Sequence, residues 1–233
     1  MRLKAVLFDA GNTLLFLDYP RMADAVARAT GLPLTGAGLE AHAGEAAAVL
    51  ERSAATDRER ASRYLETLFR LAGVPEGQMG VTRDTLLALH RERHLWGGIR
   101  TGTVQALERL RGSGYRLGVV SNSDGRAEEG LAAAGLLSFF EVVIDSQLVG
   151  FEKPDPRIFE AALSRLGVRP QEALYVGDIY EVDVIGARRA GMEVVLLDPL
   201  GVYADRDVVT ATDVAAAVRG LLDGPGPLSE AGC

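Results

Sequence analysis

The residue most open to chemistry in this sequence is Asp9, which closes the apolar run Ala5–Phe8 in the segment VLFDAGNTLL. A carboxylate leaving a buried strand can attack phosphorus, carry the phosphoryl group and be freed by water. Alone, such an Asp is as often a turn residue. Further candidates follow at later strand ends. Ser121 and Asn122 close VVSNSDG, where they can donate to phosphoryl oxygens beside the amides of a helix start. Ser-Asn in that place is also ordinary capping chemistry. Lys153 sits in GFEKPDPRIF, its backbone restricted by Pro154, and its ammonium could neutralise both nucleophile and transferred group. A loop lysine is usually a solvated charge, but Lys4 and Lys153 are the two lysines of an arginine-rich chain. Asp178 and Asp183, in YVGDIYEVDVIGARRAGM, offer the oxygen ligands that suit Mg²⁺. Asp183 could instead favour a helix dipole.

Positioning these residues requires strands that end where they stand. Five apolar runs qualify: Leu3–Phe8, Arg116–Ser121, Glu141–Ile144, Ala173–Gly177 and Glu193–Leu197. They are apolar on both faces rather than alternating, as strands of a parallel sheet covered by helices are. Helical spacing recurs in Thr103–Arg111, Arg126–Ala134, Pro156–Leu166 and Glu181–Ala190. Gly114, Gly135, Gly167 and Gly191 stand where those helices should stop. The rhythm predicts an α/β fold, a doubly wound parallel sheet. Ligands of such sheets bind outside the carboxyl ends of the strands, where all the candidates lie.

The stretch from Asp18 to Trp96 breaks the rhythm with a series of helical patterns. Arg58–Ala72, for instance, places Ala61, Tyr64, Leu65, Leu68 and Ala72 on one face. Gly97-Gly98 marks the return. The expected organisation is an α/β core in 1–15 and 98–223, a helical insert in 16–97 docked over the end of strand one, and a flexible Gly/Pro tail in 224–233.

Net charge −7 and a pI near 5.1 argue against nucleic acid or an anionic membrane as the main partner. A small anionic substrate stays compatible, because a metal and one lysine reverse the potential locally. Cys233 is the sole cysteine, so neither an intrachain disulfide nor a thiol nucleophile is expected. No export signal is visible, and no run approaches the roughly 20 apolar residues a bilayer crossing needs. A cytoplasmic location is the expectation, and the oligomeric state stays open.

Taken in order, these motifs resemble the haloacid dehalogenase (HAD) superfamily, over Ala5–Thr13 and again over Leu95–Pro199. The resemblance implies a HAD-like Rossmannoid core with the insert as a C1-type helical cap. It implies Asp9 as nucleophile, Thr13, Ser121 and Asn122 at phosphate-contacting positions, and Lys153 as the motif lysine. Asp178 and Asp183 match the acidic pair of the last motif. With Asp9 and the backbone carbonyl of Gly11 they form the implied Mg²⁺ shell. The implied activity is hydrolysis of a small phosphorylated metabolite through an aspartyl-phosphate.

One position departs from the pattern. Phosphatases of this superfamily usually carry a second Asp two residues after the first, to protonate the leaving alcohol and activate water; here that residue is Gly11. Three readings stay open. In the first, a phosphatase borrows an acid from Asp124, Glu181 or the cap, or takes substrates with good leaving groups. A 2-haloacid dehalogenase needs no acid, since halide leaves unprotonated. A protein of the third kind binds a phosphorylated ligand without turnover. Asp178 weighs against the dehalogenase, because without a cation it would raise a carboxyl pKa beside Asp9. A Schiff-base phosphonatase is disfavoured by the absence of lysine from Leu14 to Gly98. His90 and His94 share a helix face at metal-pair spacing, but with no third ligand in the pattern they, like His42, are expected to pack or face solvent. Trp96 reads as a packing residue at the hinge.

Overall fold

The computed structural model describes residues 2–50 and 57–224. The expected tail lies, after Gly224, outside the described residues, as does Ala61 as a side chain. Contacts divide the chain into two compact units, Met1–Phe16 with Gly97–Cys233, and Leu17–Trp96. Eight strands run along the sequence: β1 (Ala5–Phe8), β2 (Phe16–Leu17), β3 (Trp96–Gly98), β4 (Arg116–Ser121), β5 (Val142–Asp145), β6 (Ala173–Gly177), β7 (Glu193–Leu197) and β8 (Val209–Ala211).

Six of them form one parallel sheet in the order β5-β4-β1-β6-β7-β8, and β2 pairs with β3. From β1 the chain steps outward through β4 to β5, then crosses back over β1 to β6, β7 and β8. The direction of winding therefore reverses around β1, the switch point at which such sheets bind ligands. β1 is buried along its whole length, which is why Ala-Val-Leu-Phe has no polar alternation. Gly118 in β4 has a steric reason: a Cβ there would lie 2.7 Å from both Leu7 Cδ2 and Val142 Cγ1.

Helices Thr103–Gly112, Ala127–Ala133 and Pro156–Leu166 fall where apolar periodicity places them. Helix Pro156–Leu166 shows the local code. Asp155 caps it by accepting from Arg157 N, Pro156 opens it, and Gly167 ends it at φ 61°, a left-handed conformation that side chains resist. Its buried face, Ile158, Phe159, Ala162, Leu163 and Leu166, packs in one cluster with Leu7, Val120 and Tyr175.

Three features depart from the sequence pattern. β8 is short and mostly exposed, so an edge strand left no apolar run to read. The helix Val214–Asp223, capped by Asp213, is not among the expected elements. The expected helix Glu181–Ala190 is in fact a π-turn, Tyr180–Val184, followed by an α-helix, Ile185–Arg189. Inserted turns of this type concentrate at functional sites, and here the turn carries Asp183.

The helical unit has its own core of Met22, Val26, Leu39, Leu68, Phe69, Leu86 and Leu95, against which Tyr64, Leu65 and Ala72 also pack. Helix Tyr19–Thr30 begins at Asp18, which accepts from Arg21 N, and ends at Gly31 with φ 73°. The Arg21 guanidinium donates to the carbonyls of Leu89, Arg93 and His94. Two of these follow helix Met79–Glu92, and the Leu89 carbonyl, in its last turn, also accepts from Arg93 N. Among the described residues no helix is long and apolar enough to cross a membrane.

Candidate active site

Asp9 directly follows β1, and its amide donates to Val176 O at 2.8 Å, so the strand ladder itself fixes the backbone. The turn after it closes tightly, because Leu14 N and Leu15 N both donate to Ala10 O. Asn12 takes φ 53° there, a conformation Asn tolerates better than most residues. Among the described residues no donor engages the Gly11 carbonyl. Thr13 is 1% exposed, and its hydroxyl has no partner among the described residues. A buried hydroxyl left unpaired costs about 1–3 kcal/mol, which an incoming oxyanion could offset.

Lys153 is buried, and its ammonium meets Asp9 Oδ1 at 2.5 Å, Asp183 Oδ1 at 2.8 Å and Tyr175 Oη at 3.2 Å. The four residues come from the β1 end, β6, the loop before helix Pro156–Leu166 and the π-turn. Asp183 holds the centre. Besides Lys153, its Oδ1 accepts from Tyr175 Oη at 3.0 Å, and its Oδ2 accepts from Asp178 N at 3.1 Å and Ile179 N at 3.0 Å. Gly177 makes room for it, since a Cβ there would lie 2.6 Å from Asp183 Oδ2.

Ser121 is buried at the end of β4. Asn122 engages the lysine loop through both ends of its carboxamide: Oδ1 accepts from Lys153 N at 2.7 Å and Nδ2 donates to Lys153 O at 3.1 Å. The side chain expected at a phosphate-contacting position thus also braces the backbone of Lys153. Two polar residues escaped that reasoning. Tyr175 reads as a core aromatic because its neighbours in β6 are apolar. Asp145 ends β5 and accepts from Gly125 N, Ala127 N and Gln147 N, shaping the loop that follows Ser121. Its signal, a carboxylate at a strand end, is the one that singled out Asp9.

Electrostatics sets these carboxylates apart. Burial, with the charge of Asp183, pushes Asp9 up to about 7 despite the lowering pull of Lys153. Asp178, half-buried, is raised well above the carboxylate range by burial, then by Asp9 and Asp183. Burial opposes the charge on Lys153, but Asp183 and Asp9 outweigh it and hold the ammonium protonated.

This donor set fits a divalent cation. Oxygens of Asp9, Asp178 and Asp183 lie within 4.8 Å of one another. Fully ionised, three carboxylates facing Lys153 leave two negative charges uncompensated, the charge that one Mg²⁺ carries. Hard oxygen ligands are those Mg²⁺ prefers.

The alternative acids Asp124 and Glu181 are exposed. In the helical unit, His90 Nδ1 accepts from Leu95 N and His94 Nδ1 accepts from Trp96 N, each at 3.3 Å. The His94 ring lies 4.7 Å from His90 and 5.9 Å from Trp96. His42 follows helix Gly36–Ala41 as its C-cap.

A family model described as haloacid dehalogenase-like hydrolase matches residues 3–191. The glyceraldehyde 3-phosphate phosphatase of Methanothermobacter thermautotrophicus is 33% identical over 213 residues, 89% of this chain and 91% of that protein. The phosphoserine phosphatase of Thermus thermophilus is 38% identical over 142 residues, 60% of this chain and 54% of that protein. Among solved structures, a HAD phosphatase from Thermococcus onnurineus superposes with a TM-score of 0.60 at 26% identity, covering 95% of this chain and 99% of that one.

Proposed function

This chain belongs to the haloacid dehalogenase-like hydrolase family, and we propose that it is a Mg²⁺-dependent phosphohydrolase of small phosphorylated metabolites that works through an aspartyl-phosphate on Asp9. The observation that carries this reading is the carboxylate cluster at the switch point, where oxygens of Asp9, Asp178 and Asp183 lie within 4.8 Å of one another and the Lys153 ammonium pairs with Asp9 and Asp183. Names among the relatives support a short-chain phosphomonoester as substrate. The helical unit Leu17–Trp96 is read as the family's C1-type cap.

A carboxylate oxygen of Asp9 attacks phosphorus, and the bond to the leaving oxygen breaks with its electron pair on that oxygen. Ser121, Thr13 and the Lys153 ammonium stabilise charge on the remaining phosphoryl oxygens. Water then cleaves the acyl phosphate, returning Asp9 and releasing phosphate. Asn122 holds the Lys153 backbone while this happens. Asp9, Asp178, Asp183 and the Gly11 carbonyl would hold the Mg²⁺. When bound, the ion offsets repulsion among the carboxylates and polarises phosphoryl oxygens. Gly11 has no proton to give, so the leaving oxygen must be a stable anion or draw a proton from elsewhere. General acid–base assistance is worth about 10²–10⁴ in rate.

The test is hydrolysis of an aryl phosphate in Mg²⁺, which is expected to vanish in Asp9→Asn with the fold retained; undiminished turnover there removes the mechanism. Gly11 also favours a second reading, the 2-haloacid dehalogenase. Halide release from 2-chloropropionate that persists in EDTA would decide for it.

A further inference from the structure

We infer that Tyr175 is a positioning residue for Lys153, its hydroxyl completing the cradle that aims the ammonium at Asp9. This inference rests on the proposed role of Asp9 for its consequence in catalysis, but its geometry stands independently. A lysine ammonium carries three protons, and three oxygens surround this one: Asp9 Oδ1, Asp183 Oδ1 and Tyr175 Oη. The tyrosine hydroxyl has one proton and two acceptors within reach, Asp183 Oδ1 at 3.0 Å and Val120 O at 3.2 Å. A bond to an ionised carboxylate is the stronger of the two. Donating to Asp183 leaves an oxygen lone pair for the ammonium, so all three groups are satisfied together.

The hydroxyl cannot drift from this place. Tyr175 is fully buried in β6, and its ring meets Phe159 edge-on at 5.0 Å between centroids. The side chain therefore links β6, the carboxyl end of β4 through Val120, and the loop of Lys153. A phenylalanine would keep the ring packing and lose the oxygen. The ammonium would then have one proton without an acceptor, and Asp183 would have one donor fewer. Nothing in the proposed chemistry requires Tyr175 to touch substrate.

With lysine at positions 4 and 153 alone, nitrogen-15 lysine labelling yields two side-chain ammonium signals, assigned by Lys4→Arg. In metal-free protein, Tyr175→Phe is expected to shift the Lys153 signal and leave that of Lys4 in place. With an aryl phosphate, kcat is expected to fall by about 10–100-fold with KM nearly unchanged, the loss appropriate to one hydrogen bond to a charged group. Phe159→Leu, which loosens the packing but keeps the oxygen, should lower the melting temperature and move the Lys153 signal less than Tyr175→Phe does. A Lys153 signal unmoved in Tyr175→Phe, or a kcat within twofold of wild type, overturns the inference. If Tyr175→Phe does not fold, the wild-type protein serves: the Lys153 ammonium protons should show a nuclear Overhauser contact to the Tyr175 ring protons, and its absence overturns the inference. A wild type inactive on every phosphate would sink the phosphohydrolase reading while leaving the spectroscopic test intact.

Discussion

Binding of Mg²⁺ should expel protons from this protein, and Asp178 should govern how many. Oxygens of Asp9 and Asp178 lie within 4.8 Å of each other. At an effective dielectric of about 20, two unit charges at that distance repel by about 3.5 kcal/mol, or about 2.5 pKa units. Burial adds to this repulsion, and the two carboxyls titrate as a pair, with Asp9 pushed up to about 7 and Asp178 held well above the usual carboxylate range by its burial and by Asp9. A folded pKa above the unfolded one means that the metal-free fold holds more protons than the unfolded chain between those values. Its stability therefore falls as pH rises from about 4 towards 7. A dication reverses the balance by favouring both anions. Titration calorimetry near pH 6.5 in two buffers of different ionisation enthalpy should report release of about one proton or more per Mg²⁺. Asp178→Asn should weaken Mg²⁺ binding by at least about 100-fold and sharply reduce the proton release. Buffer-independent heats in the wild type, or undiminished affinity in Asp178→Asn, would refute the reasoning.

Three further outcomes are expected. Lys153→Met leaves Asp9 and Asp183 facing each other without a counter-charge, and should cost about 3–5 kcal/mol in metal-free urea unfolding near neutral pH; a loss under 1 kcal/mol would contradict the pairing. Because Gly11 supplies no proton, the rate should fall steeply as the leaving-group pKa of a phosphate ester series rises. Gly11→Asp should flatten that slope and speed alkyl phosphates by about 10²-fold or more; an unchanged slope would mean that the site has adapted to other chemistry. Glu172, bonded to the side chains of Arg169 and Lys4 and to Arg169 N, is held well below the usual carboxylate range. The stability it contributes is present above its unfolded pKa of about 4.3 and is lost as pH falls through its folded value. Glu172→Gln should therefore lower the melting temperature at neutral pH and flatten its decline in acid.

Much of the sheet was legible because its strands are buried on both faces. β4, β6 and β7 need no partner information to be read from Arg116–Ser121, Ala173–Gly177 and Glu193–Leu197. β8 was not legible, since an exposed edge strand of three residues has no apolar signature. The polar strand ends were readable as candidates because a hydrophobic run that stops at Asp, Ser or Asn is itself a signal. Their partners were not. That Asn122 braces the backbone of Lys153 depends on how two loops meet, which no local pattern encodes. Tyr175 illustrates the same limit, because its ring belongs to the core and only its oxygen belongs to the site. The π-turn at Tyr180–Val184 has the spacing of plain helix, which does not reveal that Asp183 is drawn back to the Asp178 and Ile179 amides.

The most direct test is chemical trapping during turnover. With an aryl phosphate and Mg²⁺, borohydride should convert the aspartyl-phosphate at residue 9 to homoserine, detectable in the peptide that contains VLFDAGNTLL, and should leave Asp178 and Asp183 unmodified. Sustained phosphate release with residue 9 untouched, or modification at another carboxylate, would contradict the assignment of Asp9 as the group that receives the phosphoryl.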